Sequence, residues 1–184
     1  MPLALSDTKD QEQALRVLVK LVQRSVEVPA VIVAARQITS DCPKNNDECE
    51  LQAIYNAVKH GTTKVKCLKN GLRYVADPVQ TDWFQTADRT LKSCIEGACA
   101  GDCDEHAVLV AALAGALGFS VGLRIWGHTG GDFEHIYACV GLPKHEPPTD
   151  PREWLGMDTT VDSAAVGWDP PRGMWATAIA ISSF

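Results

Sequence analysis

The sequence predicts an α+β protein in which helices come first and an antiparallel sheet follows. Segments with apolar residues at helical spacing fill the first third of the chain. An uncharged run, Ala107–Gly118, follows a helix-start signature at Asp102–Glu105. Beyond Gly118 the pattern changes to β-branched and aromatic runs separated by turns rich in glycine and proline.

Asp7–Val26 places Ala14, Leu15, Val17, Leu18, Leu21 and Val22 at helical spacing with charges between them, which predicts an amphipathic helix. Pro29–Ile38 holds two signals. Val31-Ile32-Val33 favours a strand, Ala34-Ala35-Arg36-Gln37 a helix, and Pro29 at a first turn decides for helix. Asp41–Asp47 reads as a polar turn. Glu48–His60 carries Leu51, Ile54, Tyr55 and Val58 on one face and stops at Gly61, which predicts another helix. Leu72–Val75 has the composition of a short strand, and Asp77-Pro78 opens an irregular loop containing Asp82-Trp83-Phe84. Thr90–Ile95 is a short helix leading to Gly97 and Gly101.

The central helix begins at a cysteine. Asp102 is placed to be the N-cap and Glu105, three residues on, to complete a capping box, so Cys103 falls at the first helical position. Unsatisfied backbone N–H groups and the helix dipole there favour thiolate, while Asp102 and Asp104 disfavour a further negative charge. A nucleophilic role therefore needs a histidine partner.

Val121–Trp126 and Phe133–Leu142 read as two strands of a hairpin joined by Gly127–Asp132. Pro143–Pro151 is a polar excursion, and Trp154–Val161 reads as a third strand containing Met157-Asp158-Thr159-Thr160. Alternation along the second strand puts Phe133, His135, Tyr137 and Cys139 on one face and Glu134, Ile136, Ala138 and Val140 on the other. Asp158 follows apolar residues that would desolvate its carboxylate unless it is paired. His106, one helical turn beyond Cys103, reads as structural, and His128 as a solvated turn residue. The apolar segment Trp175–Phe184 either packs on the domain or meets a partner.

A chain of 184 residues buries a core without staples and fits one compact domain, with a helical region at 1–65 packed on a core at 66–184. A net charge of −6 with scattered basic residues excludes a phosphate-tracking groove, so nucleic acid is not an expected partner. The uncharged run Ala107–Val121 is too short and too rich in Ala and Gly for a membrane span, which takes about 20 apolar residues. Charges at Asp7, Lys9, Asp10 and Glu12 occupy the place of a signal peptide's apolar stretch, so a soluble, unexported, cytoplasmic protein is expected. Seven cysteines cannot all pair within the chain, and an odd number without an export signal fits a reducing compartment. Cys94, Cys99, Cys103 and His106 have the ligand types of a Cys3His zinc site, although the C-x4-C-x3-C-x2-H spacing lies outside the common finger pattern.

Gly101-Asp102-Cys103-Asp104-Glu105-His106-Ala107, then His135-Ile136-Tyr137, then Trp154-Leu155-Gly156-Met157-Asp158-Thr159-Thr160, in that order, resembles the core of the transglutaminase-like superfamily over about residues 72–170. The resemblance implies a papain-like fold, with a central helix packed on an antiparallel sheet and the N-terminal helices in front. It implies a triad of Cys103 as nucleophile, His135 as general base and acid, and Asp158 orienting the imidazole, acting through an acyl-thioester on an amide. The Cys103 backbone N–H and a further donor, with the Trp83 indole as candidate, would hold the oxyanion. Small phage and prophage members are similar in the stretch from Asp77-Pro78 to Cys103 and in Gly167-Trp168-Asp169-Pro170. The implied partner is a protein or peptide substrate, with hydrolysis of a peptide bond or glutamine side chain favoured over amine transfer because the chain is short. No cofactor is implied, and no D-x-D-x-D-G calcium loop is present. A non-catalytic structural or assembly member of the same fold is the other reading.

Overall fold

The computed structural model describes residues 8–77, 83–128, 134–170 and 174–181. Residues 78–82, where part of the expected loop falls, 129–133, which include Phe133 and part of the expected hairpin turn, 171–173 and both chain ends lie outside these residues. The elements are α1 Thr8–Ser25, α2 Pro29–Ile38, α3 Asp47–Lys59, β1 Arg73–Tyr74, α4 Ala87–Ile95, β2 Ala100–Gly101, α5 Cys103–Gly115, β3 Val121–His128, β4 His135–Val140, β5 Leu155–Met157 and β6 Met174–Ala180. This is an α+β architecture, and no described helix is long and apolar enough to cross a membrane.

The core is organised around α5. Every residue from Asp104 to Ala114 is buried, so this helix is covered all round rather than along one stripe. Helices α1 to α4 pack on one side of it and strands β3 and β4 on the other. One hydrophobic cluster runs from Leu18 in α1 through Ile54 in α3 and Leu109 in α5 to Ile136 in β4 and Ile181. Among the described residues this cluster takes in side chains from both sides of residue 65.

The sheet has the order β5-β4-β3-β6, all antiparallel. The β3–β4 register pairs Trp126 with His135 and Arg124 with Tyr137. Strand alternation holds in β4. Ile136, Ala138 and Val140 join the core, while Tyr137 stacks against His135 and meets Trp168 edge-on across the other face. That second face is covered by the chain from Trp154 to Asp169. Arg124, buried in β3, donates to the Trp154 carbonyl at 2.8 Å and pairs with Asp169.

Several elements differ from expectation. The segment after Trp154 is strand only at Leu155–Met157, so Asp158 stands just past a strand end. Met174–Ala180 forms β6, the outer neighbour of β3, so this part of the apolar segment joins the sheet, and residues 182–184 lie outside the described residues. Ala100–Gly101 forms a short parallel ribbon with β1 that leads the chain into Cys103. Helix α4 starts at Ala87, earlier than Thr90, because the Ser25 hydroxyl of α1 accepts the Ala87 N–H at 3.0 Å. A cap supplied from a distant helix leaves no local signal.

Cys42–Cys49 and Cys94–Cys99 are disulfides, leaving Cys67, Cys103 and Cys139 free.

Gly156 shows why β5 tolerates no side chain at its centre. A Cβ there would lie 2.1 Å from the Trp168 carbonyl oxygen and 3.1 Å from the Tyr137 ring. Gly156→Ala is expected to lower unfolding stability by about 2 kcal/mol, as overpacking of a fixed backbone does, measured by urea denaturation. An unchanged midpoint would mean that the 154–169 segment does not clasp the sheet.

Candidate active site

The turn into α5 is built as the sequence predicts. The Asp102 side chain accepts the Asp104 N–H at 2.8 Å, and the Glu105 carboxyl accepts the Asp102 N–H at 3.1 Å, closing the capping box. Gly101 is required by close approach, because a Cβ there would sit 2.5 Å from the Glu105 Cβ. Cys103 is thereby fixed at the first helical position, where its own N–H has no intrahelical acceptor.

Burial pushes the Cys103 thiol well above the usual cysteine range, with Asp104 and Asp102 pushing the same way. The backbone N–H groups of Ile136 and of Cys103 itself pull it down, and they do not prevail. The helix start therefore does not generate a thiolate. Ile136 is the residue next to His135 on β4.

His135 and Asp158 meet directly. His135 Nε2 lies 2.7 Å from Asp158 Oδ2. The other oxygen, Oδ1, accepts from the Thr160 hydroxyl at 2.7 Å, the Thr160 N–H at 2.8 Å and the Val161 N–H at 3.3 Å. Asp158 is fully buried, which alone would raise its pKa, yet these donors, led by His135, bring it below the usual carboxylate value. A carboxylate accepting at Oδ2 fixes the proton of His135 on Nε2 and leaves Nδ1 as the basic nitrogen. The Trp126 ring lies edge-on to the imidazole at 5.5 Å between centroids.

His106 lies beneath this pair. Its Nδ1 is 2.8 Å from the Thr159 hydroxyl, while its Nε2 is buried without a hydrogen-bond partner. Burial pushes it down to about 4, with Asp158 pulling upward and His135 downward, so it is neutral at physiological pH. The structural role expected for it is the one it occupies. The zinc reading is overturned: Cys94 and Cys99 are bonded to each other, and the His106 ring is engaged inside the fold. Asp102, Cys103 and Asp104 do hold possible ligand atoms within 4.8 Å of one another, but Asp102 is already spent as a cap. His128 closes β3 rather than lying in the turn.

Trp83 is about half exposed and walls a pocket of about 420 Å³ together with Gly101, Glu105 and Arg89. Its backbone N–H donates to the Asp77 carboxylate. Beyond the α5 turn lies a larger cleft of about 860 Å³, bounded by His106, Thr160, Tyr74 and Arg73. The nucleophile turn thus stands between two openings.

Sequence reasoning missed Lys59. Its ammonium donates to the carbonyls of Val161, Asp162 and Ala164 at 2.8 to 3.1 Å, and the Tyr55 hydroxyl donates to Ala164 at 2.6 Å. Together they clamp the turn that follows Asp158. The only local signal was an unpaired lysine at the end of α3, which is common.

No protein-family model matches the chain, and no curated protein does. Among solved structures, a proposed protease from Parabacteroides distasonis is similar, with 15% identity and a TM-score of 0.48. The match covers 84% of this chain and 31% of that one, so this chain spans about a third of its length. A likeness of this size carries no argument about fold or activity.

Two buried groups set a pH signature. Burial and Asp102 push Glu105 up to about 8 from 4.5, so the folded state retains a proton there. Its stabilisation is present at low pH and is lost as pH rises through about 8. His106 runs the other way, its stabilisation present above 6.5 and lost as pH falls through about 4. Thermal melts of Glu105→Gln, which keeps the capping acceptor, are expected to lose the decline in stability between about 4.5 and about 8. An unaltered slope would place the proton elsewhere.

Proposed function

We propose that this chain is a cysteine-dependent enzyme that cleaves or transfers the acyl group of an amide, a peptide bond or a glutamine side chain, through Cys103, His135 and Asp158. The observation that carries the reading is the 2.7 Å contact between His135 Nε2 and a fully buried Asp158.

The resting nucleophile is a thiol, so its deprotonation accompanies attack. Nδ1 of His135 takes the thiol proton as sulfur bonds to the substrate carbonyl carbon, and Asp158 stabilises the imidazolium that forms. The oxyanion is held by the Cys103 N–H at the start of α5, with the Trp83 indole as candidate for the second donor; each such donor is worth about 2.7–4 kcal/mol of barrier. As the carbon–nitrogen bond breaks, Nδ1 returns the proton to the leaving amine. Water then hydrolyses the thioester, or an amine takes the acyl group, with His135 again the base. The transglutaminase-like, papain-like core is the fold this reading assigns.

A non-catalytic scaffold is favoured by one observation, the raised thiol. Iodoacetamide labelling resolved by mass spectrometry separates the two. Cys103 should lose label by roughly 10²-fold in His135→Ala, as loss of a general base implies, while Cys67 is unaffected. In ammonia-release and amine-incorporation assays on a glutamine peptide, and in peptide hydrolysis, Asp158→Asn should reduce turnover by about 10⁴-fold. Cys103 labelling that ignores His135 would leave only the scaffold.

A further inference from the structure

We propose that the Cys94–Cys99 disulfide is a redox-operated latch on the nucleophile turn. Closed, it holds the strand that delivers Cys103; opened by a low-molecular-weight thiol, it lets the turn loosen and the reaction slow. This rests on the acyl-transfer reading for its effect on turnover, though not for its effect on the turn.

The bridge joins a fixed point to a weak one. Cys94 is buried at the end of α4, which packs against α1 and α5 and shares their core through Ala87 and Leu91. Cys99 leads into β2, a strand of two residues paired with the two of β1. The Arg73 N–H donates to the Cys99 carbonyl at 3.2 Å and the Val75 N–H to that of Gly101 at 2.9 Å. A two-stranded ribbon is marginal by itself in water. Residues 95–98, between the cysteines, are all exposed, so packing does not hold them. The loop's own bonds, Gly97 N–H to Cys94 carbonyl at 3.2 Å and Ala98 N–H to Ser93 carbonyl at 2.9 Å, lie where water competes for them. Four residues past Cys99 stands Cys103, with the capping Asp102 between them. The body of α5 is buried from Asp104 onward and stays put, so the latch governs the cap and the first turn. Cys42–Cys49 instead ties the turn before α3 to the first turn of that helix.

The 860 Å³ cleft gives the reductant a way in, because Gly97 and Cys99 lie on its wall. A thiolate attacks the Cys99 sulfur, and the bond to Cys94 breaks with its electron pair passing to the Cys94 sulfur, which takes a proton. A second thiol attacks the mixed disulfide at the small molecule's sulfur and releases Cys99, which also takes a proton. Two thiols become one disulfide, and the bridge gains two electrons and two protons. Cys103 is already a free thiol, so the reductant leaves it unaltered. Opening the bridge returns to the loop the conformational freedom that closure had removed. The Asp102 cap is then held less firmly, the first turn of α5 frays, and Cys103 drifts from the position that α5 and β2 together define.

Amide hydrogen exchange and turnover, measured on the whole chain before and after dithiothreitol with the state of each cysteine pair read by mass, test this. Opening Cys94–Cys99 should speed exchange of the Asp104 N–H, which the Asp102 side chain holds at 2.8 Å, by about fivefold, the size of a lost N-cap. Leu109, in the buried body of α5, should keep its rate. Turnover in the glutamine-peptide and peptide-hydrolysis assays should fall by about tenfold, within what a misplaced reacting group costs. Reoxidation should restore both. Cys94→Ser combined with Cys99→Ser should match the reduced chain and ignore dithiothreitol, whereas Cys42→Ser combined with Cys49→Ser should respond to it as the unaltered chain does. The latch is overturned by a Cys94–Cys99 bridge that dithiothreitol leaves closed, by Asp104 exchange that ignores its opening, or by exchange that rises equally at Leu109. Unchanged turnover in an active chain, a loss that reoxidation does not reverse, or a response that disappears with the Cys42–Cys49 pair overturns it too. A chain inactive in both states would end the acyl-transfer reading separately, with the exchange ratio still legible.

Discussion

Asp158 has no solvent exposure, and an ionised carboxylate in that position is costly unless every lone pair is met. Its environment supplies four donors: His135 at one oxygen, and the Thr160 hydroxyl and two backbone N–H groups at the other. The bond to His135 is the constraint on which the rest of the site depends. It orients the imidazole and decides which ring nitrogen is basic. Without it, a buried acid and a half-buried histidine would be two unrelated core groups.

Much of the surrounding fold holds that bond in place. Lys59 and Tyr55 grip the carbonyls of 161–164, so the turn carrying Thr160 and Val161 is tied to α3. Arg124 ties Trp154 and Asp169 to β3, fixing β5 from the other end. His106, held neutral by burial, joins α5 to Thr159 and links the nucleophile helix to the acid strand. The nucleophile rests as a thiol, because burial, with Asp104 and Asp102 pushing the same way, holds its proton. Asp102, which caps the helix start, therefore also works against its activation.

The parts of this arrangement that obey local rules were legible in the sequence. The Asp102–Glu105 capping box fixed the position of Cys103, and alternation in β4 separated His135 and Tyr137 from Ile136 and Ala138. Pro29 marked the start of α2 to the residue. What was illegible depends on distant partners. The α4 start is capped from α1, β2 exists only because β1 lies beside it, and β6 is an apolar tail given strand form by β3. The Cys94–Cys99 bridge and the Lys59 clamp follow from chain positions that no periodicity encodes.

The tautomer of His135 gives the most direct measurement. Nitrogen-15 NMR of the imidazole at neutral pH should show a proton on Nε2 and a bare lone pair on Nδ1, with Asp158→Asn removing that preference. A proton resident on Nδ1, or a spectrum indifferent to residue 158, would contradict the account, because no basic nitrogen would then be left for the thiol.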